Sequence, residues 1–260
     1  MVQYILVNQQ NSVAQVTLNR PDVHNALNEG MVKELRDTFL KLGSDREIRV
    51  VVLQGAGKSF CAGADLQYMQ QVQGFSMQQH EASGRLLFEM LLAIYQCPKP
   101  VIAKVHGAAM GGGLGLMAAS DYCLASEGIV FAFSEVSLGL IPAVISPFVL
   151  RKLGLKNTKS LFFTGEKFEV QHALKIGFVD QVVTADQLDT AIDQKIEDLK
   201  KASPQAIARC KHLLHEISSA SLTEAMGPTI RAIAQARVSE EGQEGMKAFL
   251  EKRKPNWAKE

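Results

Sequence analysis

Two glycine-containing loops carry the strongest chemical signal in this sequence: Phe60-Cys61-Ala62-Gly63-Ala64-Asp65-Leu66 and Met110-Gly111-Gly112-Gly113-Leu114-Gly115-Leu116. Each follows a short apolar run, Val50 to Leu53 or Val101 to Val105, of the kind that forms a strand buried on both faces. Small residues let backbone N–H groups approach a ligand with no Cβ in the way, and a helix N-terminus adds a positive dipole. Two such amides aimed at one point make an oxyanion hole, which holds negative charge as it develops on an oxygen. Either loop alone suits tight packing of a strand on a helix. Both together, at one edge of an α/β sheet, point to a ligand site. Glu135 is the third piece. It follows Phe131-Ala132-Phe133, and partial burial beside apolar residues raises a carboxyl pKa toward the range useful for acid–base work. The plainer alternative for Glu135 is a surface carboxylate at a strand end.

Other motifs carry less. Gly57-Lys58-Ser59 lacks the upstream glycine of a phosphate-binding P-loop, because position 52 is Val52. Gly113-x-Gly115-x-x-Ala118 satisfies a loose dinucleotide fingerprint, with Glu135 about 20 residues further on, but a second strand intervenes before the acid. Cys210 with His212-x-x-His215-Glu216 reads as a solvated helix face, and His80-Glu81 lacks the second histidine of H-E-x-x-H, so no metal site is expected. Lys252-Arg253-Lys254 is a short basic cluster able to grip one phosphate.

These pieces need a scaffold that brings distant loops together. Residues 3–7 and 13–18 flank a turn-like Asn8 to Ser12 and read as a β-hairpin. Asn28 can cap a helix whose Val32, Leu35, Phe39 and Leu42 share one face. The buried strands at 50–53 and 101–105 are followed by a polar stretch with a helix near 77–95, and by a small-residue helix at 113–120. Strands near 121–125 and 130–133 complete a repeated β-loop-α pattern. After residue 145 helical periodicity dominates, over 146–153, 157–163, 169–176, 185–202, 204–219, 222–236 and 239–253, with one short strand at 178–183. The expected division is an α/β core over 1–200 and a helical region over 201–260.

Composition limits the function classes. With 260 residues, 47% hydrophobic and 21% charged, the chain is an ordinary globular sequence, which excludes disordered, collagen-like and disulfide-scaffold classes. A net charge of +1 supplies no global field for nucleic acid or an anionic membrane, so an anionic ligand must be caught locally. Cys61, Cys97, Cys123 and Cys210 form no C-x-x-C pair, which fits a reducing cytosol. The opening MVQYILVNQQ has no positive n-region, and the apolar stretch 99–120 contains Lys104, His106 and many glycines. A cytoplasmic location without membrane contact is expected.

At its two glycine loops the sequence resembles the crotonase, or enoyl-CoA hydratase/isomerase, family, and the likeness runs nearly end to end. It is carried by Leu18-Asn19-Arg20-Pro21-Asp22-Val23-His24-Asn25-Ala26-Leu27, by Ser59 to Leu66 and by Gly111 to Leu116. Phe133-Ser134-Glu135-Val136 with Leu138-Gly139-Leu140-Ile141-Pro142, and the tail Glu244-Gly245-Met246-x-Ala248-Phe249-Leu250-Glu251-Lys252-Arg253, complete it. The resemblance implies an α/β (α+β) fold, a spiral of ββα units with a helical C-terminal trimerisation region, assembled as a homotrimer or a dimer of trimers. It implies an acyl-CoA thioester substrate and no cofactor beyond the substrate's coenzyme A moiety. By position, Ala64 and Gly112 match the family's two oxyanion amides and Glu135 its second catalytic glutamate. Ala62, Ala64, Asp65, Leu66 and Gln67 match the stretch around the CoA adenine and pantetheine, and His24 lies in the segment bordering it. Phe249 and Lys252 match tail residues that reach a neighbour's CoA.

One departure matters. Hydratases with two glutamates place the first three residues after the oxyanion glycine, where this chain has Gly115. The leading expectation is a hydratase in which Glu135 acts without that partner, with residues 67–84 as the stretch from which a second group could come. The pattern is closest to the bacterial branch assigned to methylglutaconyl-CoA and carboxygeranoyl-CoA hydration. The alternative is a Δ3,Δ2-enoyl-CoA isomerase, which needs only one carboxylate. A non-catalytic scaffold or RNA-binding member of the fold is the remote third reading, and the neutral charge opposes it.

Overall fold

The computed structural model describes residues 3–258; Met1, Val2, Lys259 and Glu260, the first two within the stretch read above for a leader, lie outside the described residues. Strands β1 (Ile5–Gln10) and β2 (Val13–Leu18) pair antiparallel, in register from Ile5 opposite Leu18 to Gln10 opposite Val13. Their connection is only Asn11-Ser12, both at positive φ (50° and 61°), the backbone that a tight two-residue hairpin requires. The hairpin is thus longer than its apolar residues indicate, because β1 is an edge strand that keeps Asn8, Gln9 and Gln10 exposed. Helix α1 (Glu29–Ser44) starts where Asn28 Oδ1 accepts the Met31 N–H at 2.9 Å, and buries Met31, Val32, Leu35, Phe39 and Leu42.

The functional geometry comes from a repeat that the chain makes three times. Strand β3 (Val50–Gly55) leads through Cys61 to α2 (Leu66–Val72) and α3 (Met77–Tyr95). Strand β4 (Val101–Val105) leads through the short β5 (Ala109–Met110) to α4 (Gly112–Ala119). Strand β6 (Tyr122–Ser126) leads through β7 (Val130–Ala132) and a 3-10 turn, Ser134–Leu138, to α5 (Ser146–Thr164). β8 (Lys167–Glu169), α6 (Val170–Lys175), β9 (Gln181–Val183) and α7 (Leu188–Lys200) follow. Successive turns stack, so the large sheet has the order β1-β2-β3-β4-β6-β9, parallel from β2 onward, and the small one β5-β7-β8. This is the ββα spiral, and Phe39, Phe60, Phe131, Phe133 and Phe178 are among its fully buried side chains.

The chain divides into two compact units, residues 1–97 with 101–192, and residues 98–100 with 193–260. The second contains the end of α7 and helices α8 (Pro204–Ile217), α9 (Leu222–Val238) and α10 (Glu240–Leu250). Ser203, Ser221 and Ser239 cap these three helices, and Ser221 forms a reciprocal capping box with Glu224. On α9, Leu222, Met226, Ile230 and Ile233 recur at helical spacing along one face and are all more than half exposed. Among the described residues no helix is long and apolar enough to cross a membrane.

Candidate active site

The first glycine loop is held by polar groups buried beneath it. The Asn25 side chain, wholly buried, accepts the Arg20 N–H at 2.9 Å and donates to the Ala56 and Ser59 carbonyls at 2.8 Å each. Arg20 Nη1 donates to the Ala26 carbonyl, and Nη2 pairs with Asp65 Oδ2 at 2.7 Å. Asp65 Oδ1 accepts the Tyr68 N–H at 3.0 Å and so caps α2. Burial pushes the Asp65 carboxyl up, but the Tyr68 N–H and the Arg20 guanidinium outweigh it and hold the group below the usual range. Asp65 is 4% exposed and engaged on both carboxylate oxygens, so its side chain orders the loop.

Hydrogen-bond accounting singles out two amides. Around Ala64, the Leu27 N–H donates to Gly63 and the Asp65 N–H to Leu27, while the Ala64 N–H itself donates to no group among the described residues. Around Gly112, the Gly111 N–H donates to Ala132 at 2.9 Å, and Leu114 and Gly115 both donate back to Gly111. The Gly112 N–H, in the first turn of α4, likewise has no acceptor among the described residues. The loops touch closely. A methyl group on Gly63, whose φ is +87°, would stand 2.9 Å from the Met110 carbonyl oxygen and 3.6 Å from Gly112 N. Only glycine fits there.

Register aligns these positions. Cys61 bridges Ala109, and Ala109 pairs with Phe131. Three residues beyond each stand Ala64, Gly112 and Ser134, and Glu135 is next. Glu135 therefore lies in the 3-10 turn after β7, and not at the end of the strand itself. Phe133 anchors the turn among Phe162, Phe168 and Phe178, with ring centroids 4.8, 6.1 and 6.0 Å away. Gly111, at φ +44°, brings its backbone against the carboxyl: a methyl there would be 2.9 Å from Glu135 Oε1. Glu135 Oε2 is buried without a hydrogen-bond partner among the described residues. Burial raises the Glu135 pKa, opposed only by a bond from its own N–H.

Ala64, Gly112 and Glu135 line one cavity of about 460 Å³ within the first unit. Its walls are mostly aliphatic, from Leu27, Leu86, Leu87, Leu140, Val144 and Ile145. Tyr68 and Ser83 add a hydroxyl pair, Oη to Oγ 2.8 Å. Gly115 is buried, and a methyl placed on it would stand 2.4 Å from Ile145 Cγ2 and 3.6 Å from Leu91 Cδ1. Ile145 thus fills the space into which a side chain at 115 would project.

The other expected residues are placed as follows. Ala62 and Leu66 line the cavity, and Leu66 is 77% exposed. Gln67 borders a smaller adjoining cleft with Arg20, Asp65 and Tyr68. His24 is exposed, its Nδ1 3.0 Å from Ser59 Oγ, and its carbonyl accepts the Ala62 N–H. Phe249 and Lys252 lie in the second unit, Phe249 83% exposed and Lys252 at φ +53° beside an Arg253 forked onto Glu244 at 2.7 and 2.8 Å. Sequence reading gave Arg20 and Asn25 no role, while Tyr68 falls within residues 67–84, from which a helping group was expected. Arg20 and Asn25 stood within a quoted block, but nothing local announces that their side chains brace a loop some forty residues away.

Two backbone amides with no acceptor among the described residues and one half-buried carboxyl thus line a single apolar cavity. Residues 8–260 match the family model for enoyl-CoA hydratase/isomerase. The chain is 30% identical to the crotonyl-CoA hydratase of Syntrophomonas wolfei, over 97% of each chain. It is 29% identical to the trans-2-decenoyl-[acyl-carrier-protein] isomerase of Streptococcus mutans, again over 97% of each. A solved enoyl-CoA hydratase from Shewanella pealeana superposes with a TM-score of 0.95 at 38% identity, covering 98% of this chain and 96% of that one. With the fold, the paired loops and the near-complete match in agreement, the chain belongs to the enoyl-CoA hydratase/isomerase, or crotonase, family.

Proposed function

We propose that the chain is an enoyl-CoA hydratase that adds water across the 2,3 double bond of an enoyl-CoA thioester, with Glu135 as acid/base. The observation that carries this reading is the Glu135 carboxyl packed against Gly111, one residue before the free Gly112 amide and in the same cavity as the free Ala64 amide. Glu135 takes a proton from water as the water oxygen attacks C3. The double-bond electrons move through C2 onto the thioester oxygen, where the Ala64 and Gly112 amides hold the charge. The enolate then collapses and C2 takes the proton back from Glu135, so one carboxyl serves both steps. No group beyond the coenzyme A moiety of the substrate is needed.

Isomerisation is the second reading, and Ile145 in the space beside Gly115 favours it, because a Δ3,Δ2 shift needs one carboxyl and no water. Loss of enoyl-thioester absorbance with crotonyl-CoA separates the two. Because the sequence resembles the methylglutaconyl-CoA and carboxygeranoyl-CoA branch, 3-methylglutaconyl-CoA is run beside it as the dicarboxylate comparison: its hydration would support the hydratase reading and at the same time count against selection for uncharged acyl chains. Hydration of either supports the proposal; conversion of 3-enoyl-CoA to 2-enoyl-CoA with no hydration replaces it with the isomerase.

CoA itself would be met by His24 and the backbone of Ala62 to Gln67, and by Phe249 and Lys252 of a neighbouring copy's tail, in a homotrimer or dimer of trimers. The exposed α9 face of Leu222, Met226, Ile230 and Ile233 supports assembly, since a contiguous apolar stripe marks a contact surface. Ile230→Asp is expected to convert the assembly to monomer in size-exclusion chromatography with light scattering. An unchanged mass would remove α9 from the interface.

A further inference from the structure

We infer that the acyl cavity selects uncharged acyl chains and rejects an acyl group that ends in a second carboxylate. The inference rests on reading this cavity as the acyl site. None of the described residues lining it is a lysine, arginine or histidine, and its two ionisable carboxylates are Glu29 and Glu135. The guanidinium of Arg20 borders the adjoining cleft, but it is engaged by Asp65 and the Ala26 carbonyl. An anionic chain end entering this space would lose its hydration, meet no free cation, and face two groups of its own sign.

The polar groups that are present point the same way. Tyr68 Oη and Ser83 Oγ share one hydrogen bond of 2.8 Å, which leaves one hydroxyl proton and several lone pairs for a guest. That suits a neutral hydroxyl or a water molecule; it does not neutralise a carboxylate. Asn28 and Ser134 are also neutral, and Asn28 Oδ1 already caps α1. The rest of the wall is hydrocarbon, which rewards a plain alkyl chain in proportion to the area it buries. Methylglutaconyl and carboxygeranoyl groups both carry a second carboxylate, so the likeness to that branch does not extend to the acyl group taken here.

The test compares two saturated thioesters with five-carbon acyl chains, valeryl-CoA and glutaryl-CoA, which differ only in ending as a methyl or as a carboxylate. Isothermal titration to the intact protein is expected to show valeryl-CoA binding about tenfold or more tighter, a difference of about 1.4 kcal/mol. Equal affinities, tighter binding of glutaryl-CoA, or binding of neither thioester would overturn the inference. Leu140→Arg places a cation in the wall at a half-exposed position, 54% accessible, where the fold tolerates it. It is expected to shift the ratio toward glutaryl-CoA by about tenfold, and an unmoved ratio would show that charge is not the selector. Neither thioester can be hydrated. A protein that binds valeryl-CoA selectively but hydrates no enoyl-CoA would therefore sink the hydratase reading and leave this one standing.

Discussion

Glu135→Gln is expected to lower kcat on enoyl-CoA by about 10²–10⁴-fold, the range for removing a positioned acid/base, with little change in thioester binding. Glutamine keeps the shape of the side chain in the turn after β7 but can neither take a proton from water nor return one to C2. The same change is expected to raise stability at pH values above the folded-state pKa of Glu135. Burial lifts the folded-state pKa of Glu135 above its unfolded value. Its contribution to stability is therefore full below the unfolded pKa and is lost as pH rises through the folded one. At higher pH the protein holds a desolvated carboxylate whose Oε2 has no hydrogen-bond partner among the described residues, and glutamine removes that charge. Melting curves from about pH 4 to pH 8 should show the variant gaining on the wild type as pH rises. Undiminished turnover by the variant would remove Glu135 from the mechanism, and a melting difference independent of pH would show that its burial is harmless.

The second large effect is expected at Gly115. Gly115→Glu, which restores the residue found in two-glutamate hydratases, should not create a better hydratase. It should unfold the pocket. A Cβ alone would sit 2.4 Å from Ile145 Cγ2, and Ile145, 3% exposed, can give way only by moving into the cavity whose wall it forms. Overpacking costs about 1–3 kcal/mol and burial of a carboxylate adds more, so a loss of about 3 kcal/mol and a fall of about 6–12 °C in melting temperature are expected. Ile145→Ala should cost about 2–5 kcal/mol by itself. Combined with Gly115→Glu it should cost less than the sum, with a coupling of about 1–3 kcal/mol, because the truncation vacates the space the glutamate needs. Strict additivity, or a Gly115→Glu protein as stable as the wild type, would show that the two residues do not compete for one volume.

Much of the fold was legible because apolar periodicity is a local property. The α1 face, the cap at Asn28 and the buried runs at Val50 and Val101 are each set by neighbours in the chain. What escaped was short or polar. Helix α2 was read as a polar stretch because its Leu66–Val72 sequence buries no residue and starts from Asp65, whose partner Arg20 is distant. Strand β8 has three residues and exists only as the antiparallel partner of β7. The two expected helices at 146–153 and 157–163 are both present, on either side of Gly154, whose non-helical backbone at φ +70° and ψ 166° breaks α5 in two.

By itself the sequence determined which backbone amides are unshielded by side chains, which carboxyl follows an aromatic run, and which family's blocks the chain carries. Those are matters of residue type and spacing. Only the tertiary structure decided that Ala64, Gly112 and Glu135 meet, because their meeting depends on Cys61 pairing with Ala109 and Met110 with Ala132 across successive turns of the spiral. It also decided that Asp65 faces inward to Arg20 and that Ile145 fills the space beside Gly115. A side chain's surroundings are set by segments remote in sequence, and a one-residue slip in either pairing would turn the amides and the carboxyl away from each other.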